Sequence, residues 1–171
     1  MTPSDSSSIL LVPYDMTWPA VFQHTQQKIC RHTGLALEDV EHIGSTSIPG
    51  ATSKPIIDLL IGLTALEECT PTFEKQLQQC GFYRLKVQRK DEIIFAKFAD
   101  QTFQTKTHFI HVVEKHQRVW KELLYFRDTL RTDQQLLHQY LQLKQQISKD
   151  DGITHYTNEK EAFVKQVCQS I

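Results

Sequence analysis

The segment PIIDLLIGL, residues 55–63, limits the fold of this chain more than any other. It is dense in isoleucine and leucine, is bounded by Pro55 and Gly62, and has the length of a strand rather than a helix, so it predicts a central strand. One residue interrupts the apolar run. Asp58 sits among Ile56, Ile57, Leu59 and Leu60, where an ionised carboxylate without a partner is costly to bury. It must meet a cation, hold a metal or open into a cleft.

A short strand, DVEHI, precedes it and ends at Ile43, followed by Gly44-Ser45-Thr46-Ser47. This arrangement offers a tight turn, exposed backbone N–H groups and three hydroxyls, which together can hold phosphate oxygens. It is not a Walker A loop, because Gly50 is followed by Ala51, and the chain has no G-x-G-x-x-G dinucleotide fingerprint. On local grounds alone, Ser45 or Thr46 would simply cap orphan N–H groups. The carboxylate that follows at Asp58 turns the reading toward an anion site.

Around these two features the pattern is mixed. Residues 1–8 are rich in serine and read as frayed, and ILLVPYD is a short extended piece stopped by Pro13. Apolar residues at helical spacing predict a helix from about Thr17 to His32, ended by Gly34, and a second from near Pro71 to Gly81. FYRLKV, EIIFAKF and THFIHVV predict three further strands. Helices are expected over 116–131, 133–149 and 158–169, with Asp133 and Asn158 as N-caps. The order predicts an α+β fold in a single domain, 1–171, with a mixed sheet backed by helices and a C-terminal helical layer.

Composition excludes several classes. The net charge of −1 gives no general attraction to nucleic acid or anionic membrane, so a polyanion site must come from locally gathered cations. No apolar run approaches bilayer length and the N-terminus lacks a signal-peptide layout, so cytoplasmic residence is the simplest reading. Cys30, Cys69, Cys80 and Cys168 form no C-x-x-C pair, which argues against a zinc site or a disulfide framework.

Cations recur on helix faces that should be apolar. Trp120, Leu124, Arg127 and Arg131 share one stripe, Lys144 lies on the stripe of Leu137, Tyr140 or Leu141 and Ile147, and Lys160 accompanies Phe163, Val164 and Val167. Any one of these alone would snorkel or pair with an acid. Arg127 and Arg131, at i and i+4, repel unless an anion lies between them, and Asp128 should project elsewhere. A triphosphate in a cleft between sheet and helical layer would satisfy these cations, Lys54 and the Gly-Ser turn together.

The stretches PYDMTWPAVF, EHIGSTSIPGATSKPIIDLL, HFIHVV, LLYFRDTLR and YTNEKEAFV resemble, in that order, the GrpB-like family. That family resembles the nucleotidyltransferase superfamily in fold, where a Gly-Ser turn precedes a strand carrying metal-binding carboxylates. The resemblance implies metal-dependent transfer of a nucleotidyl group from a nucleoside triphosphate to an acceptor that the sequence does not identify. Asp58, Ser45 and Lys54 would be catalytic. Gly44, Ser45, Thr46, Lys54, Arg127, Arg131, Lys144, Tyr156 and Lys160 would hold the nucleotide, and Asp58 with His111 would hold Mg²⁺. The superfamily's second acid falls at Leu60, which favours the competing reading of a non-catalytic module for a nucleotide or phosphometabolite. A transition-metal protein built on His108, His111 and His116 is a third idea, with no companion cysteine or acid at ligand spacing. On a strand, a spacing of three puts His108 and His111 on opposite faces.

Overall fold

The computed structural model describes residues 10–150 and 153–169, apart from the side chains of 148–150 and 153–157. Five strands form one mixed sheet: β1 Val40–Ile43, β2 Ile57–Leu63, β3 Tyr83–Arg84, β4 Ile93–Phe98 and β5 Lys106–Glu114. Their order is β1-β2-β5-β4-β3, with β2 and β5 parallel and every other pair antiparallel. Five helices accompany it: α1 Trp18–Thr33, α2 Pro71–Gln79, α3 Arg118–Thr132, α4 Gln134–Asp150 and α5 Ile153–Cys168. The predicted central strand is β2, hydrogen-bonded on both edges.

Alternation along the strands sorts the two faces. Ile57, Leu59, Ile61 and Leu63 of β2 join Ile110 and Val112 of β5 and Phe95 of β4 in a core with Trp18, Ile29, Phe73 and Leu77 of α1 and α2. The opposite face carries Asp58, Leu60, Phe109, His111 and Val113. Its β1–β2 end is closed by α3, where Trp120 packs with Ile43, Leu60 and Val113. Gly62 exists for that indole, since a Cβ there would approach Trp120 to 2.7 Å. A third cluster, built on Ile48, Phe126, Leu130, Leu137 and Tyr140, ties α3, α4 and α5 to the loop after the Ser turn. Full burial of each such side chain favours folding by about 1.5–3 kcal/mol.

Gly34 ends α1 at φ 79°, as its position predicts. Asp133 caps α4, accepting from the Leu136 amide at 3.0 Å. Asn158 does not cap α5, which begins at Ile153. An asparagine costs a helix interior only a few tenths of a kcal/mol relative to its neighbours, so it did not stop the helix. FYRLKV shrinks to the two residues of β3 because the chain turns away after Leu85 into an exposed basic segment.

Candidate functional site

Gly44 is required twice over. Its φ of 73° lies in the left-handed region, and a Cβ there would collide with Oδ2 of Asp58. The turn and the carboxylate are therefore in contact, although separate elements supply them. Ser45–Ser47 forms a single 3₁₀ turn closed by Ser47 N–H to Gly44 O and Ile48 N–H to Ser45 O. Among the described residues, no acceptor takes the amides of Ser45 or Thr46. Thr46 is fully buried, its hydroxyl 2.9 Å from His42 Nε2. Burial, together with Arg131 and Arg127, pulls His42 down to about 4 despite the opposing charge of Asp58, so that ring is neutral.

Asp58 is part of a carboxylate–imidazole–carboxylate chain. His111 Nε2 is 3.7 Å from Asp58 Oδ1, and its Nδ1 is 3.0 Å from Glu92 Oε1. Burial opposes a charge on the ring, but bonding to Asp58 and Glu92 outweighs it and lifts His111 to about 9. Burial pushes Glu92 up, but the bond and charge of His111 with the charges of Arg89 and Arg118 together more than reverse this. At neutral pH the centre of the chain is an imidazolium.

Four lysines gather about this chain. Lys54 is held below its ordinary value by burial, Lys160 and Lys106, against Asp58. Lys144 is only 1% exposed and falls to about 6 through burial, Lys160 and Lys54, again against Asp58. Its Nζ donates to Ser45 Oγ at 2.8 Å and to Thr52 O at 2.6 Å, and it lies 5.1 Å from the centre of the Tyr140 ring. The Tyr140 hydroxyl completes the contact with Ser45 Oγ at 3.0 Å. Nearby, Thr52 Oγ1 is buried with no hydrogen-bond partner.

Gly44, Ser45, Lys54, Asp58, His111, Lys144 and Lys160 thus converge, as the sequence suggests. Arg127 and Arg131 lie elsewhere. They line a separate cleft of about 690 Å³ with Tyr14, Phe22, His42 and Ser47. Asp128 does not project away. Arg127 donates to Asp128 Oδ1 at 2.9 Å, to Glu41 Oε2 at 2.6 Å and to His42 O at 3.0 Å. Arg131 donates to Ser47 O at 2.9 Å, with Asp128 4.0 Å away. The anions that reconcile the two guanidinium groups are the protein's own. The side chain of Tyr156 is outside the described residues.

His108 is on the opposite face, buried, 3.3 Å from Thr25 Oγ1 and edge-on to Phe82. Burial and Lys97 pull it down to about 4, against Asp58. His116 packs edge-on to Trp120, so the three histidines do not meet. The sequence reading missed Tyr140 as a partner of Ser45, Lys106 as part of the lysine group, and Glu41 as the acid of Arg127. The four-residue spacing of Tyr140 and Lys144 signalled the first. Nothing in the sequence pairs Glu41 with Arg127.

The donor set decides what kind of metal fits. Leu60 is fully buried and supplies no second acid beside Asp58. Among the described residues, no three histidines, cysteines or acids are grouped to chelate an ion. Both ring nitrogens of His111 already face a carboxylate, Nε2 that of Asp58 and Nδ1 that of Glu92. A magnesium ion bound through one carboxylate, with water and substrate phosphate oxygens completing its shell, is consistent with Asp58 alone. A two-ion centre is not.

The mixed sheet, with the Gly-Ser turn against Asp58, defines an α+β protein with a nucleotidyltransferase-like core. Cid1 poly(U) polymerase in its MgGTP-bound form superposes with a TM-score of 0.53 at 15% identity, over 77% of this chain and 43% of that one, a likeness of fold. The chain belongs to the GrpB family, whose model, described as GrpB protein, matches residues 8–170. It is 34% identical to the glutamate-rich protein GrpB of Alkalihalophilus pseudofirmus over 95% of both chains. A UPF0157 protein of Halalkalibacterium halodurans is 30% identical over 95% of this chain and 82% of its own. The crystal structure of GrpB from Enterococcus faecalis superposes with a TM-score of 0.79 at 25% identity, over 94% of this chain and 96% of that one. Among the described residues, no helix is long and apolar enough to cross a membrane.

Proposed function

We propose that this chain binds a nucleoside triphosphate at the Gly44–Asp58 contact and transfers its nucleotidyl group to an acceptor. The contact itself carries the reading: it brings two unengaged amides, a carboxylate and four lysines from separate segments to one place. Phosphate oxygens would take the Ser45 and Thr46 amides, as at other nests of backbone N–H groups. Lys54, Lys106 and Lys160 would offset their charge, and Lys144 would hold Ser45 and the following loop in place. Arg127 and Arg131 act on the same turn from behind, by gripping the carbonyls of His42 and Ser47. When bound with the nucleotide, Mg²⁺ supplies charge neutralisation at the phosphates, with Asp58 as its protein ligand.

Leu60 favours a second reading, in which the same site binds the nucleotide or a phosphometabolite without transfer. Thermal shift with each nucleoside triphosphate, with and without Mg²⁺, tests binding, since a ligand taken only by the folded state raises the melting temperature. Pyrophosphate release measured in the presence of candidate acceptors separates transfer from binding. No shift at millimolar nucleotide refutes both forms of the nucleotide proposal.

A further inference from the structure

The strand register sets a straight row of residues across the sheet. Ile43 faces Asp58, Asp58 faces Phe109, Phe109 faces Ala96, and Ala96 faces Tyr83. Residues paired directly across a ladder project to the same face, so Tyr83 shares the face of Asp58, three strands away. At about 5 Å per strand the row runs roughly 14 Å outward from the carboxylate.

The outer edge of this face is aromatic and exposed. Tyr83 is 43% exposed and Phe103 53%. Phe103 reaches in from the β4–β5 loop to meet Tyr83 at 5.5 Å and Phe98 at 5.2 Å between ring centres, both edge-on. Its backbone has a φ of 57°, which a bulky side chain rarely adopts. Ala96, between Phe109 and Tyr83 in the row, is itself fully covered, so the exposed part of the row is its outer end at Tyr83.

Cations border this aromatic patch. Lys106 lies over the Phe109 ring at 5.2 Å and is close enough to Lys54 to depress it. Residues 85–90, which follow β3, carry Lys86, Arg89 and Lys90 without one acid, whereas Arg84 lies on the other face beside Glu74 of α2. Arg89 meets Glu161 and Glu92, but among the described residues Lys86 and Lys90 stand exposed with no acid partner. Asp100 is turned to the amide and hydroxyl of Thr102. Exposed rings beside a cationic border are the arrangement that holds single strands, with bases on the rings and phosphates on the cations. The net charge of −1 hides this local excess.

We propose that the aromatic patch at the outer end of this row, made by Phe98, Phe103 and Tyr83, seats a single-stranded nucleic acid, with its bases on those rings. Resting on the nucleotidyl-transfer reading, the end of that strand nearest Asp58 presents the acceptor hydroxyl.

Fluorescence anisotropy with a labelled single-stranded RNA of about ten nucleotides tests the platform. Wild type should bind at about 50 mM salt and weaken steeply by about 200 mM. The double variant Tyr83→Ser, Phe103→Gly should bind at least tenfold more weakly, because each lost stack is worth about 1–3 kcal/mol. Its melting temperature should hold, since both rings are exposed and glycine relieves the left-handed φ. Tyr83→Trp, which enlarges the ring, should bind as well as wild type or better and guards against a folding artefact in the double variant. Equal binding by wild type and the double variant, or no binding by wild type at low salt, overturns the platform. RNA binding that depends on the rings, in a protein that shows no thermal shift with nucleoside triphosphate, leaves the platform standing and removes the transfer reading.

Discussion

Gly44 leaves no room for a side chain because Asp58 Oδ2 already occupies the place where a Cβ would stand. Gly44→Ala must therefore displace the carboxylate and also hold alanine at a φ of 73°. The conformational cost alone is about 1–2 kcal/mol. A denaturant titration should show a loss of at least that size, and the nucleotide-dependent thermal shift should vanish with it.

Asp58→Asn separates site from scaffold through pH. His111 has its folded value raised to about 9 from 6.5, so its contribution to stability is complete below the unfolded value and is lost as pH rises through the folded one. Wild type should lose that contribution between those two values. Asp58→Asn removes one of the two acids holding the proton, so the His111 ring resonances should titrate at lower pH and the loss should begin earlier. An unchanged His111 titration in the variant contradicts the assigned chain.

Lys144 runs the opposite way. Its folded value falls to about 6 from 10.5, so between those values the unfolded chain binds the extra proton and stability rises with pH. Across the pH range of the His111 loss the two slopes oppose each other. Lys144→Met should remove the rising component and leave a plainly falling profile, measurable by chemical denaturation at several pH values.

Leu60→Asp supplies a second acid two residues beyond Asp58, yet the position is fully buried under Trp120. A carboxylate without a partner at that depth should cost several kcal/mol or shift far upward in pKa. The expected outcome is a markedly lower melting temperature that Mg²⁺ does not restore.

The sequence made β2 legible because it is apolar, of strand length and preceded by Pro55, and Gly81 marked where α2 gives way to β3. The site was legible to the extent that it depends on local chemistry: a glycine turn, an acid in an apolar strand, lysines on apolar helix faces. Helical spacing put Arg127 and Arg131 on the correct face of α3, but spacing cannot tell whether an arginine meets a ligand or a strand. Glu41, on β1, resolved that, and its side chain meets Arg127 only once α3 has crossed the sheet. The aromatic row was invisible for the same reason, since Asp58, Phe109, Ala96 and Tyr83 become neighbours only through strand register.

The turn at Gly44–Ser47 is held from afar, by Arg127 and Arg131 on its backbone side and Lys144 on its hydroxyl side. During synthesis the turn emerges early and its restraints emerge last. A growing chain can complete the apolar face of β2 against α1 well before it owns a shaped anion pocket. Ligand competence is therefore the closing event of assembly, and a ribosome paused before α4 presents a nascent sheet whose pocket has not yet acquired its walls.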